Sequence, residues 1–324
     1  MNNKVMSGIK KVTAYREFIL IFVIIVFSAI VSFFTPYFFT IANITAMLMG
    51  LTVEGLVVIG MVILLISGGL DLSVGSIMAF TGVATGMIIK AGVPIVVGIG
   101  LGLILAILIG AISGTLIAKA GINPFITTLG MMMAVKGLML IVSRGKAILN
   151  MPDGFKNIGQ GSIGIIQYPI IILLFFVILM DLLLRNTRFM RQSYYVGINE
   201  NSAKLNGINV SRVKIFNYSL TAFFAGLAGI LITARFGSAS VTLGENTALN
   251  VITAAIIGGA SLNGGEGSVL GAVLGVVFMQ ILSTSLNLLD VNIYWQNFVT
   301  GIILILAILV DSINEKRKAG KKAI

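Results

Sequence analysis

The sequence runs again and again through long apolar blocks separated by short polar stretches, and that pattern restricts the chain to a lipid bilayer. The blocks are 18–34, 44–66, 74–89, 95–118, 125–142, 168–184, 215–233, 248–259, 269–289 and 298–310. Most match the roughly 17–25 residues that a helix needs to cross the hydrocarbon core. Lipid offers no partner to a backbone N–H or C=O, so each block must bond internally and is expected to be a helix. Block 248–259 is short by this measure and reads as a half-helix or an interrupted one. The expected fold is all-α: a polytopic bundle of about ten spans, within a range of nine to eleven.

Composition agrees. Hydrophobic residues make up 57% of the 324 residues and charged residues 10%, with a mean hydropathy of +1.07. A soluble domain carries about 25% charged residues, so there is too little polar surface here to cover a water-soluble globule. The net charge is +11. Nucleic acid is not the implied partner, because the basic residues sit in two tails and one central stretch rather than in a folded polar domain.

Those basic segments fix the expected orientation. Lys4, Lys10, Lys11 and Arg16 precede the first block. Arg185, Arg188, Arg191, Lys204, Arg212 and Lys214 fall in the polar stretch 185–214, against Glu200 alone. Lys316, Arg317, Lys318, Lys321 and Lys322 close the chain. With ten spans all three segments fall on one side, which the positive-inside rule makes the cytoplasm. The expected layout is a basic tail at 1–17, one membrane domain at 18–312 with a cytoplasmic loop at 185–214, and a second basic tail at 313–324. The first block follows a basic stretch as a signal peptide would. Thr35, Pro36, Tyr37 and Phe38 follow it instead of a small-residue cleavage site, so it reads as a retained span. The stretch 143–167 then falls outside the cell as a surface loop.

The chain has no cysteine and no histidine. Disulfides, the commonest metal ligands, a cysteine nucleophile and a histidine acid/base are therefore excluded. No Walker-type phosphate loop occurs. Gly159-Gln160-Gly161-Ser162-Ile163-Gly164 fits the spacing of a dinucleotide fingerprint, but it follows no strand and opens no amphipathic helix, so it carries no such function.

Gly68-Gly69-Leu70-Asp71-Leu72-Ser73-Val74-Gly75-Ser76 interrupts two apolar blocks. Paired glycines weaken a helix by about 1 kcal/mol each, and an ionisable residue beside an apolar span is costly and usually functional. The segment reads as an unwound break beside a transport path, or as a polar turn at the membrane surface. Asp71 would either take part in the path or cap the helix that follows, and capping is the preferred role. Gly258–Ser268 has a similar shape, as the paired breaks of a repeat-built transporter do. Spacings at Gly82/Gly86, Gly110/Gly114 and Gly271/Gly275 read as close helix contacts. Glu54 lies inside the second block and is expected to face a cavity. Residues 197–208 read as a short capped helix, with Asn199 as N-cap and Gly207 as stop, suited to docking a cytoplasmic partner.

Taken together, several of these stretches resemble one family. They are the 68–76 segment, Gly121-Ile122-Asn123-Pro124-Phe125-Ile126-Thr127-Thr128-Leu129-Gly130, the 197–208 loop, Ile257-Gly258-Gly259-Ala260-Ser261-Leu262 and Tyr294-Trp295-Gln296. In this order, over roughly 18–312, the chain resembles the ribose-type permeases of ABC importers. The resemblance implies the type II importer architecture and a location in the bacterial inner membrane, with both termini cytoplasmic. The implied partners are a second permease subunit (the same chain or a paralogue), cytoplasmic ABC ATPase subunits and an extracytoplasmic substrate-binding protein. It implies no enzymatic activity and no cofactor on this chain, since ATP and magnesium would be held by the ATPases. Gly197, Asn199, Glu200, Ala203 and Gly207 would form the helix that couples to the ATPase. Glu54, Gly68, Gly69, Asp71, Ser73, Asn123 and Gln296 are the candidates for the path or the helix break. The expected cargo is a ribose-like monosaccharide; a nucleoside or a furanosyl signal molecule is the alternative, and a stand-alone secondary transporter a more distant one. The chain departs from the family pattern at one place: Ala248-Leu249-Asn250 stands where the family usually carries Glu-Leu-Asp.

Overall fold

The computed structural model describes the backbone of residues 3–322 and the side chains of residues 17–313. Its elements are α1 (Asn3–Phe34), α2 (Ile41–Ile66), α3 (Val74–Lys90), α4 (Ile95–Ala118), α5 (Pro124–Ser143), α6 (Asp153–Gln160), β1 (Ser162–Ile163), β2 (Ile166–Gln167), α7 (Tyr168–Asn186), α8 (Arg188–Ile198), α9 (Glu200–Leu205), α10 (Val210–Phe236), α11 (Thr247–Ile257), α12 (Val269–Leu288) and α13 (Ile293–Lys322). Among the described residues eight helices are long and apolar enough to cross a membrane, and α3 and α11 are shorter apolar helices. The ten blocks of the sequence are these ten helices. The basic side chains of both expected tails lie outside the described ones, while the backbone there continues α1 and α13.

α2 and α10 form the centre. The most apolar window of α2 is 83% buried and that of α10 61%, against 11% for α1 and 6% for α13. Every residue from Leu56 to Ile66 is buried. α10 packs against α2, α3 and α4, and α11 and α12 close the other side of α2. The outer helices turn large apolar side chains outward, including Phe18, Phe22, Ile25, Phe298, Ile305 and Leu309. In water such a surface would aggregate; in a bilayer it is the surface that lipid wets.

Without a hydrophobic drive between helices in lipid, small residues set the contacts. The three glycine spacings do this. A Cβ on Gly110 would lie 2.5 Å from the Tyr218 carbonyl oxygen, one on Gly82 would lie 2.4 Å from Thr233 Oγ1, and one on Gly275 would lie 1.9 Å from the Ala254 carbonyl oxygen.

Three expectations need correction. The stretch 143–167 is more than a loop, since it contains α6 and the β1–β2 hairpin. α6 was missed because its faces alternate over only eight residues, with Phe155 and Gly159 turned inward. The stretch 185–214 holds two helices: α8 precedes the expected one and is joined to α9 through Asn199 alone. The last span is longer than 298–310, because Asn292 accepts a hydrogen bond from the Tyr294 backbone N–H and opens α13 earlier.

α11 is about 16 Å long, too short for a 30 Å core. The chain reaches it through a non-helical stretch, 237–246, in which Gly244 packs on the backbone of Gly75. Irregular backbone at membrane depth is tolerated where it is buried in protein or faces water. Thr242, Glu245 and Asn246 are exposed, so this stretch has a face that is not suited to lipid.

Candidate functional site

Four helices bring polar side chains into one cavity of about 430 Å³. α2 contributes Glu54, α11 contributes Asn250 and Thr253, α12 contributes Gln280 and Ser283, and α13 contributes Gln296, Asn297 and Thr300. Asn246, just before α11, also lines it. The Asn250 side-chain amide donates to Glu54 Oε1 at 2.8 Å. Among the described residues Glu54, from α2, is the one carboxylate that lines this cavity. No lysine or arginine lines it among the described residues. Glu54 therefore has no cationic partner there. The lining offers amide and hydroxyl groups that both donate and accept, which suits an uncharged, hydroxyl-rich molecule.

Glu54 and Gln296, read separately from the sequence, thus share one cavity. Gln296 also holds its own turn, donating from Nε2 to Asn287 Oδ1 at 2.8 Å and to the Val291 carbonyl at 2.9 Å. Asn123 lies elsewhere. It is exposed and caps α5, accepting from the Phe125 N–H at 2.9 Å, with Pro124 following at the first helical position.

Gly68, Gly69, Asp71 and Ser73 lie at the α2–α3 break. Glu54 is about 18 Å away along α2, at 1.5 Å per residue. Asp71 is fully buried; its Oδ1 accepts from the Ser73 N–H at 2.8 Å and from Ser73 Oγ at 2.5 Å. Tyr218 of α10 pins the same break, donating to the Leu70 carbonyl at 3.1 Å. This is an Asx turn just ahead of α3, whose N-cap, Ser73, makes no side-chain cap hydrogen bond of its own. Asp71→Asn keeps the acceptor and should leave thermal stability in detergent nearly unchanged. Asp71→Ala removes it and should cost about 1–2 kcal/mol. An Asp71→Asn protein of normal stability that moves no substrate would assign the charge to transport instead.

A second polar feature went unread. Lys136 Nζ lies 2.9 Å from Glu245 Oε1, with 45% and 57% of the two side chains exposed. Lys136 is well inside α5, about 18 Å from its start. An ion pair at such depth needs water or protein over it. Glu245 is the sequence neighbour of Asn246, which lines the cavity. The signal was present in the sequence, since Lys136 is the one charge inside block 125–142. Glu245 could be matched to it only in three dimensions.

At the opposite end of α2 lies the 197–208 region. Asn199 Oδ1 caps α9 on the Ser202 N–H at 2.8 Å, and Gly207 leaves the helix at φ +77°. Ala203 is buried with Val196, Val210 and Val213. Glu200 pairs with Lys214. Leu205, which sequence reasoning passed over, is 89% exposed at the end of α9.

The comparisons with known proteins bear on these features as a set. Residues 43–308 match the family described as branched-chain amino acid transport system / permease component. The chain is 34% identical over 301 residues to the ribose import permease protein RbsC of Haemophilus influenzae, covering 92% of each chain. It is 37% identical over 284 residues to the RbsC of Bacillus subtilis, covering 87% of this chain and 88% of that one. It is 34% identical over 303 residues to the L-arabinose ABC transporter permease protein AraH of Azospirillum brasilense, covering 94% and 89%. No solved structure matches the chain. These relatives are named as permease components, which agrees with a transport subunit rather than an enzyme. The chain belongs to this permease family, on the ribose-type ABC branch, and is a multi-pass helical membrane protein.

Proposed function

We propose that the chain is the membrane-spanning subunit of a bacterial ATP-driven, binding-protein-dependent importer, and that it carries a pentose-like monosaccharide. The observation that carries this reading is the cavity of Glu54, Asn250, Gln280 and Gln296. Its neutral donors and acceptors suit sugar hydroxyls, and the relatives are named for ribose and arabinose. The path runs from the Lys136–Glu245 side through this cavity. Two permease subunits bring such polar faces together out of contact with lipid. ATP and magnesium belong to ATPase subunits that dock on α9; this chain needs no cofactor of its own.

The reading fixes an orientation. Both termini and α8–α9 face the cytoplasm of an inner-membrane protein, and α6 with the hairpin faces outward to meet the binding protein. The native chain has no cysteine, so one placed at Asn201 reports cleanly. It should resist an impermeant thiol reagent in intact cells and react after permeabilisation; reaction in intact cells refutes the orientation. The function itself is tested by deleting the chain's gene and following labelled ribose and arabinose. Uptake of one of them should fall to background and return on complementation. Unchanged uptake of both, with loss of nucleoside uptake, would reject the monosaccharide.

A further inference from the structure

The two glycine breaks and the end of α8 meet in one backbone junction. The Gly265 N–H donates to the Ile66 carbonyl, the last residue of α2, at 2.8 Å. Gly197 is wedged beside that bond: a Cβ there would lie 1.9 Å from the Ile66 oxygen and 2.6 Å from the Gly265 nitrogen. Gly264, at φ +83°, lies against Gly197 and Gly68, where a Cβ would be 2.9 Å from the Gly197 Cα and 3.0 Å from the Gly68 nitrogen. Tyr194 of α8 donates to the Gly267 carbonyl at 2.8 Å. Around Gly197 and Gly264 these contacts are backbone against backbone, with no flexible side-chain end to absorb a displacement.

Every helix that lines the cavity is rooted here. α2 ends at Ile66. α11 and α12 flank the 258–268 segment and are held together by backbone contact, since a Cβ on Gly258 would lie 2.1 Å from the Gly271 carbonyl oxygen. α13 joins through Asp311, whose Oδ2 accepts from Ser261 Oγ and the Leu262 N–H, each at 3.2 Å. On the other side, α9 begins three residues after Gly197, and the small core of Val196, Ala203, Val210 and Val213 binds α9 to the end of α8. Packed backbones of this kind shift as units rather than bend.

We propose that Tyr194, Gly197, Gly264 and Gly265 are positioning residues for transport, forming the joint through which a displacement of α9 reaches the four helices of the sugar cavity. The proposal rests on the reading of α9 as the ATPase dock. It makes no demand on which face of α9 the ATPase touches. Burial holds the Tyr194 hydroxyl above the ordinary tyrosine range, so it remains a donor at any physiological pH.

The test uses the complete complex of permease, ATPase and binding protein in sealed vesicles, with sugar uptake and ATP hydrolysis measured together. Tyr194→Phe conserves volume and removes one hydrogen bond. It should keep membrane level, ATPase binding and hydrolysis within about two-fold of wild type. Uptake per ATP should fall about five-fold, the ratio corresponding to one lost hydrogen bond. Gly265→Ala should lower the ratio further. Amide exchange across 261–268 should differ between nucleotide-free and ATP-bound wild-type complex, a change a merely structural bond would not report. Wild-type coupling in Tyr194→Phe, or identical exchange in both nucleotide states, overturns the joint. A wild-type permease that binds no ATPase overturns the underlying reading instead, so the two failures are distinct.

Discussion

Gly275→Val should reduce the yield of folded, inserted protein at least ten-fold. Gly275 faces the Ala254 backbone, where even a Cβ would lie 1.9 Å from the carbonyl oxygen and 2.8 Å from the carbonyl carbon. The neighbouring Gly258–Gly271 contact is as close, at 2.1 and 2.2 Å in the two directions. Neither partner atom is the end of a movable side chain, so the helices must separate. Overpacking a tight core costs about 1–3 kcal/mol where side chains can give way, and here the backbone itself obstructs. The control is Gly137→Ala on α5, where no atom lies within 4 Å. Relieving a helical glycine of its entropy should there be neutral or stabilising by up to about 1 kcal/mol. Size-exclusion yield and thermal unfolding in detergent read both variants. A well-folded Gly275→Val protein would mean that α11 and α12 do not pack as described.

Leu205→Asp should weaken association with the ATPase roughly thirty-fold and leave the permease folded. Leu205 is almost fully exposed, on a helix beyond the spans, and makes no buried contact that the variant could disrupt. Exposed substitutions away from special features usually change stability by less than about 0.5 kcal/mol. An apolar anchor at the centre of an interface is worth about 2 kcal/mol or more, or roughly thirty-fold in affinity. Co-purification of the ATPase should fall by that factor and uptake with it. Glu200→Arg is a less clean probe, because it would also set an arginine against Lys214. Normal ATPase recovery with Leu205→Asp would move the dock off α9.

The sequence carried the fold at the level of blocks, since apolar length is a local property and lipid enforces helix on each block. The break at 67–73, the half-helix α11 and the cap at Asn199 were legible for the same reason, because glycine and asparagine act within a few residues; Asn123, expected at the path, instead caps α5. α6 and α8 were not legible, being short and amphipathic rather than apolar. The joint of Ile66, Gly197 and Gly265 was beyond reach, because its members are far apart in sequence and each looks like an ordinary flexible residue. Asn250 illustrates the boundary. As a departure from a family pattern it suggested a lost carboxylate; beside Glu54 it is half of a pair.

The account stands or falls on ATP-driven uptake. Sealed inside-out-free proteoliposomes would contain this chain with its ATPase, with the binding protein and labelled pentose outside and ATP inside. The account predicts accumulation of the sugar above its external concentration only when ATP, ATPase and binding protein are all present, and no change when a proton ionophore collapses the pH gradient. Accumulation by this chain alone, driven by a pH gradient and lost with the ionophore or in Glu54→Gln, would contradict it.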